Sequence, residues 1–265
     1  MRGMKIAITG KGGVGKTTLS ACLAHLLKQN GKEVLAVDAD PDANFGMALG
    51  FSDEELASVR TIANDRKLIK ERTGAEPGVS GQWFSLNPKV ADVPKRYVSV
   101  HNDIKLLQLG TVESGGAGCA CPESTFLKAL LNHIILDEND AVIVDMEAGI
   151  EHLGRGTAGS VDAFIIVVEP GKRSIATAKT IVKLAEDIGV KNIYAVVNKC
   201  VENNSAEIEK ALGDIQVIGA IPYLKEAPEA DLSGVPLFEY APSCLTFVEP
   251  IYNFLLKQYA VKHVL

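Results

Sequence analysis

The stretch Gly10-Lys11-Gly12-Gly13-Val14-Gly15-Lys16-Thr17-Thr18 constrains this chain more than any other. A short apolar run, Lys5 to Thr9, leads into it, and a run of good helix formers, Leu19 to Gln29, follows. Strand, glycine-rich loop and helix in that order are the context in which G-x-x-x-x-G-K-[ST] reads as a phosphate loop. Glycines let successive backbone N–H groups converge on phosphate oxygens, and the helix N-terminus adds positive potential at the same point. The pattern therefore wraps Gly12, Gly13, Val14 and Gly15 around a phosphate chain. It sets Lys16 on the β- and γ-phosphates, the Thr17 hydroxyl on Mg²⁺ and Thr18 on an α-phosphate oxygen. A glycine-rich turn without chemistry is the competing reading, and the flanking strand and helix weigh against it.

Strand-like runs rich in Val, Ile and Ala alternate with helical patterns along nearly the whole chain. Strands are expected at Lys5–Thr9, Glu33–Asp38, Ile104–Leu109, Ala141–Asp145, Ala163–Val168, Ile193–Asn198 and Val217–Ile221. Helices are expected at Thr17–Gln29, Glu123–Asp137, Ser174–Gly189, Ser205–Leu212 and Leu245–Val261. Several strands are almost continuous apolar runs, the pattern of strands covered by helices on both faces. The fold class expected is α/β, a single doubly wound and mostly parallel sheet flanked by helices. Neither linker, repeat nor low-complexity tract divides the 265 residues, so residues 1–265 are expected to form one domain. Phe51–Val100 is the least regular part, with a charged helical piece at Ala63–Arg72 and Gly- and Pro-rich turns around Trp83. It reads as an insertion.

Carboxylates close two of the strands. Asp38-Ala39-Asp40-Pro41-Asp42-Ala43-Asn44 follows the second, and the C-terminal end of a parallel strand beside a phosphate loop is where nucleotides bind. Asp42 and Asn44 also suit an Asx-turn capping the next helix. The run Ala141-Val142-Ile143-Val144 ends in Asp145, a carboxylate placed to hold Mg²⁺ directly or through water. Taken alone, Asn198-Lys199 and Ile221-Pro222-Tyr223 are ordinary strand ends.

The most distinctive feature is Gly118-Cys119-Ala120-Cys121-Pro122. In extended chain, residues i and i+2 project to the same side, so the two thiols can grip one soft metal ion. Pro122 at a first helical position puts Cys121 at a helix N-terminus, which favours the thiolate. Two thiolates rarely complete a closed site, and a symmetric dimer would supply four. The competing reading is a pair of small buried hydrophobes. That reading is assigned to Cys22, Cys200 and Cys244, which stand isolated on apolar elements.

With a second lysine, Lys11, just inside it, the loop resembles the deviant phosphate loop of the nitrogenase-iron-protein and MinD-like ATPases. The loop, D-A-D-P-D-A-N, C-x-C and Asp145-Met146-Glu147-Ala148-Gly149-Ile150-Glu151-His152-Leu153 together resemble the CooC-type ATPases. Those are accessory proteins for nickel insertion into carbon monoxide dehydrogenase, with a branch serving acetyl-CoA synthase. The resemblance covers nearly the whole chain and is weakest in Phe51–Val100. It implies ATP hydrolysis by a homodimer in which Lys11 crosses to the partner's nucleotide and Asp40 orients or deprotonates the attacking water. Asp38 would lie near the Mg²⁺ shell and the Gly149 N–H near the γ-phosphate. Asn198, beside Lys199, would bond the purine edge, and the loop holding Pro222 would support the ring. Cys119 and Cys121 would carry Ni²⁺ to an apo-enzyme client.

Other members of the class are the alternatives. Iron-protein reductases hold a [4Fe–4S] cluster with a second cysteine in the switch after Asp145, and Met146–Arg155 has none. The Mrp-like iron–sulfur carriers use a C-x-x-C near the C-terminus, absent here. MinD- or ParA-like positioning needs a basic tail or surface. Lys257–Leu265 is weakly basic, and a net charge of −6 argues against a nucleic-acid or anionic-membrane partner. Five cysteines in a chain of this length do not form a secreted framework, and neither a signal peptide nor a spanning apolar run is apparent. A cytoplasmic location is expected.

Overall fold

Eight strands form one sheet in the computed structural model, which describes residues 4–79, 81–110, 121–137, 141–148, 161–201 and 205–259. In chain order they are β1 (Lys5–Gly10), β2 (Val34–Ala39), β3 (Ser99–His101), β4 (Ile104–Gln108), β5 (Ala141–Met146), β6 (Ala163–Val168), β7 (Ile193–Cys200) and β8 (Gln216–Pro222). Their spatial order is β3-β4-β2-β5-β1-β6-β7-β8. All neighbours pair in parallel except β3 with β4. Every residue of β1, β2, β5 and β6 is buried, which is why their sequences are unbroken apolar runs. The mostly parallel α/β sheet expected from the alternation is the one observed.

Side chains from alternate strand positions enter two cores, one on each face. Ile6 and Ile8 of β1 enter one and Ala7 the other. The first face is covered by α1 (Lys16–Gln29) and by a C-terminal helix, Leu245–Tyr259. That helix lies so close to β8 that a Cβ on Gly219 would fall 2.3 Å from the Ile251 side chain. The opposite core takes Phe126, Leu127, Leu130 and Leu131 of the helix Pro122–Asp137, and Ala178, Ile181 and Ala185 of the helix Lys172–Ile188. In the latter, buried residues recur at helical spacing, and Gly189 (φ 91°) closes it with a left-handed cap.

Three features differ from expectation. The antiparallel edge strand β3 is too short at three residues to leave an alternating pattern. The charged helix begins at Arg66, not Ala63, because the Asp65 carboxylate accepts from the Leu68 N–H (2.8 Å) and fixes the start there. Short helices at Phe45–Ala48, Asp53–Ser58, Val93–Tyr97, Glu226–Ser233 and Leu237–Tyr240 lie where no helical period is legible. None of the described helices is long and apolar enough to cross a membrane.

Candidate active site

The carboxyl ends of β1, β2, β5, β7 and β8 converge on one cavity of about 910 Å³. Gly12, Gly13, Gly15, Lys16, Thr17, Thr18, Asp40, Asn198, Lys199, Pro222 and Tyr223 line it. Residues separated by some 200 positions in sequence thus meet at the end of the sheet where open α/β folds bind ligands.

The loop is shaped by local sterics and cross-strand contacts. Gly15 is the left-handed residue (φ 93°) ahead of α1, and a Cβ there would stand 2.2 Å from the Asn198 amide nitrogen. Asn198 donates that amide to the Val14 carbonyl (2.8 Å), and the Lys199 ammonium donates to the Gly13 carbonyl (2.6 Å). Lys199 itself is left-handed, with φ 57°. Both residues are therefore braces of the loop, a contact that strand-end position alone does not reveal. Lys16, on the first turn of α1, is buried, with its ammonium 3.5 Å from Asp40 Oδ2. Lys11, within the loop, has a side chain 40% exposed and its ammonium 3.6 Å from Glu169 Oε1.

Below the loop two carboxylates face each other. Parallel pairing of β2 with β5 makes Asp38 and Asp145 register partners, 1% and 0% exposed. Asp38 accepts from the Phe45 N–H (2.9 Å) and the Asp40 N–H (3.2 Å), and Asp40 accepts from the Asp42 N–H (3.1 Å). The Asx bonds of this segment are thus made by Asp38 and Asp40. Asp42 lends its backbone, and Asn44 precedes the helix Phe45–Ala48 without a side-chain cap. Burial outweighs those donors and raises the Asp38 carboxyl to about 6. Asp145 is pushed to about 7, chiefly by burial, against hydrogen bonds from Thr17 and Ser20 and with the Asp38 charge adding to the rise.

Ser20 Oγ lies 3.2 Å from Asp145 Oδ1, while Asp145 Oδ2 is buried without a hydrogen-bond partner. A buried carboxylate oxygen lacking a partner costs about 1–3 kcal/mol. The buried carboxylates of Asp38 and Asp145 beside the Thr17 hydroxyl are a hard oxygen donor set of the kind Mg²⁺ takes. The residues fit that ion.

At the C-x-C motif, Cys119 and its glycine-rich lead lie outside the described residues, as do Gly149 and His152. Cys121 is described and sits at the start of the helix Pro122–Asp137, where its Sγ accepts from the Ser124 N–H (3.4 Å) and its carbonyl from the Thr125 N–H (3.0 Å). Cys22 and Cys244 are buried. They are not isolated from one another: the Cys22 thiol hydrogen-bonds to Cys244, which raises the first and lowers the second. Cys200 is only half-buried. Among the described residues no group of three or more metal-binding side chains assembles.

Sequence reasoning missed Glu169 and Ser20. Glu169 follows β6, a strand with no motif of its own, and Ser20 is one polar residue on a buried helical face. Its i+4 relation to Lys16 was the available signal.

Residues 5–237 match the family model described as the CobQ/CobB/MinD/ParA nucleotide binding domain. The chain is 43% identical over 242 residues to the carbon monoxide dehydrogenase accessory protein CooC of Rhodospirillum rubrum, covering 91% of this chain and 92% of that protein. An ATP-binding protein of Methanocaldococcus jannaschii is also 43% identical, over 259 residues, 96% of this chain and 98% of that one. Among solved structures, MinD of Aquifex aeolicus aligns with TM-score 0.67 at 21% identity, covering 96% and 97% of the two chains. MinD of Pyrococcus horikoshii, complexed with Mg-ADP, aligns with TM-score 0.66 at 18% identity over 99% and 100%. At those identities the likeness is one of fold.

Proposed function

The chain belongs to the CobQ/CobB/MinD/ParA nucleotide-binding family as a P-loop ATPase of the CooC type, and from that premise we propose that it is an ATP-driven nickel carrier. Two subunits bind one Ni²⁺ through Cys119 and Cys121 of each and deliver it to apo carbon monoxide dehydrogenase or acetyl-CoA synthase. The observation that carries this reading is the 43% identity to CooC along nine-tenths of both chains, in a sequence that has the C-x-C pair. The placement of Cys121 supports it, since a thiol whose sulfur accepts a backbone N–H at a helix start is biased towards thiolate. We take residues 1–265 as a single ATPase domain with an insertion at about 51–100.

Phosphoryl transfer asks the protein mainly to position groups and neutralise charge. Lys16 binds the β- and γ-phosphates after leaving Asp40, and the freed Asp40 carboxylate orients the attacking water. Gly12, Gly13, Val14, Gly15 and Thr18 hold the phosphate chain through N–H and hydroxyl donors, and the Gly149 N–H adds to them. Asn198 bonds the purine edge and the loop at Pro222 supports the ring, with Lys199 lining the same end of the cavity. Thr17, Asp38 and Asp145 are the residues that would hold Mg²⁺, and the ion when bound would neutralise charge on the phosphates. Lys11 reaches the partner's phosphates, so that nucleotide closes the dimer.

Closure moves the C-x-C pairs against one another and sets metal affinity by nucleotide state. Metal titration of the apo-protein with and without ADP and ATP, read with its oligomeric state, tests this. One Ni²⁺ per dimer with nucleotide-dependent affinity is expected. One ion per monomer, or binding indifferent to nucleotide, refutes it.

A further inference from the structure

Each of the three lysines around the loop has a carboxylate within 4 Å. Lys16 has Asp40. Lys11 has Glu169 Oε1 at 3.6 Å, and Lys199 has Glu169 Oε2 at 3.7 Å, so a single carboxylate spans two ammonium groups. Glu169 is fixed for this by its own backbone. It follows directly on β6, which is paired with β1 as far as Gly10, and its N–H donates to the buried Ser174 Oγ (3.1 Å) at the start of the next helix. The Lys199 ammonium also holds the Gly13 carbonyl. The carboxylate is thereby anchored at the outer edge of the loop from which Lys11 extends.

We propose that Glu169 is a positioning residue for Lys11: it occupies the ammonium in the nucleotide-free subunit and yields it when phosphate charge arrives. Both Glu169 pairs are partly exposed, with lysines 40% and the carboxylate 28% accessible. Pairs of that kind are weak, worth only a few-fold in an equilibrium. A triphosphate presents more negative charge and more acceptor oxygens than one carboxylate, so the exchange runs towards the nucleotide. Lys199, tied to Gly13 as well, keeps its place when Lys11 leaves. Glu169 in this role competes with the phosphates for Lys11 and restrains closure until they are present. The inference deepens the proposed reading that Lys11 serves the nucleotide, but its first test does not need a dimer.

Zero-length carbodiimide coupling joins a carboxylate to an amine in contact with it. Applied to the nucleotide-free protein, it should yield Lys11–Glu169 and Lys199–Glu169 linked peptides by mass spectrometry, and Glu169→Gln should remove both. A non-hydrolysable ATP analogue with Mg²⁺ should lower the Lys11 product about fivefold and spare the Lys199 product. A Lys11 yield unchanged by the analogue overturns the proposal. Sedimentation with the same analogue gives the second readout. Glu169→Gln should dimerise at roughly two- to fivefold lower concentration than wild type, Glu169→Asp should stay close to wild type, and Glu169→Gln should have no effect in a Lys11→Ala background. A Glu169→Gln effect that persists without Lys11 shows a merely structural role and sinks the assignment. If the analogue displaces Glu169 while wild type stays monomeric, Lys11 serves its own subunit's phosphates. In that case the crossing lysine fails and the Glu169 assignment stands.

Discussion

Replacing Asp145 by asparagine should stabilise the metal-free protein and at the same time remove its response to Mg²⁺. In the folded chain Asp145 is fully buried beside Asp38 and its carboxyl is raised from 3.8 to about 7. An unfolded aspartate releases its proton near 3.8, so between pH 4 and 7 the folded state holds a proton that the unfolded state does not. Stability associated with this group is therefore complete below about pH 4 and is lost as pH rises through about 7. The displacement from 3.8 to about 7 corresponds to a ceiling of about 4 kcal/mol, and about 2–4 kcal/mol is the range to expect once the pair with Asp38 relaxes. Asparagine cannot ionise, keeps the shape, and offers an oxygen to the Ser20 hydroxyl that now lies 3.2 Å from Oδ1. Urea unfolding in a chelator, followed by circular dichroism from pH 5 to pH 8, is the assay. Asp145→Asn should gain on wild type as pH rises, with a gap at pH 5 less than half of that at pH 8, where it should reach roughly 2–4 kcal/mol. Adding Mg²⁺ at pH 8 should raise wild type and leave the variant unchanged. A variant less stable than wild type at pH 8 without metal, or a gap equal at pH 5 and pH 8, would refute the reasoning.

Four further outcomes follow from the same geometry. Lys16→Ala should abolish ATP binding in calorimetry, whereas Asp40→Asn, which frees Lys16 of its 3.5 Å partner, should bind ATP at least as tightly as wild type and lose turnover. Gly15→Ala meets both φ 93° and a 2.2 Å contact with the Asn198 amide. It should cost about 1–2 kcal/mol in thermal unfolding from the backbone alone and weaken nucleotide binding with it. Lys11→Ala should bind ATP as a monomer by sedimentation and hydrolyse it poorly, and a normally dimerising variant would count against the crossing lysine. The double substitution Cys119→Ser/Cys121→Ser should lose nickel in equilibrium dialysis while keeping ATP affinity, and undiminished nickel binding would place the ion elsewhere.

How far the chain could be read before it was folded depended on the kind of signal each part carries. The parallel sheet was legible because burial on both faces writes strands as unbroken runs such as Ala163–Val168, and the phosphate loop because its glycines answer a steric demand. Asp38 and Asp145 were found as strand-end carboxylates, yet their adjacency is a matter of register between β2 and β5, which no local pattern encodes. Register likewise decides that Asn198 braces Val14 and that Glu169 reaches Lys11. The short helices between residues 45 and 97 and between 226 and 240 were illegible because tertiary contacts and single caps hold them, as Ser52 and Glu55 do for Asp53–Ser58. Cys22 and Cys244 looked isolated because 222 positions separate them, and the fold closes that gap by laying the C-terminal helix on α1.

The charges around the loop suggest why nucleotide and cation should bind together in such a site. Lys11, Lys16 and Lys199 are matched by Asp40 and Glu169, while burial raises Asp38 to about 6 and Asp145 to about 7, so that Asp38 is mostly ionised and Asp145 about half protonated near pH 7. The charges of the site's own residues are therefore nearly balanced, and neither partner alone is well received. Phosphates arriving without a cation take over Lys16 but bring their charge close to the buried Asp38 and Asp145 and oppose their ionisation. A cation arriving without phosphates must displace the proton that Asp145 partly retains and enter a region already bearing three ammonium groups. Together they exchange one set of charges for another: phosphates replace Asp40 and Glu169 at the lysines, and the cation offsets the charge of Asp38 and displaces what proton Asp145 retains. On this account Mg²⁺ should tighten ATP binding progressively between pH 6 and pH 8 as those carboxyls ionise. In Asp145→Asn that pH dependence should flatten, and calorimetric titrations across the interval would measure both slopes.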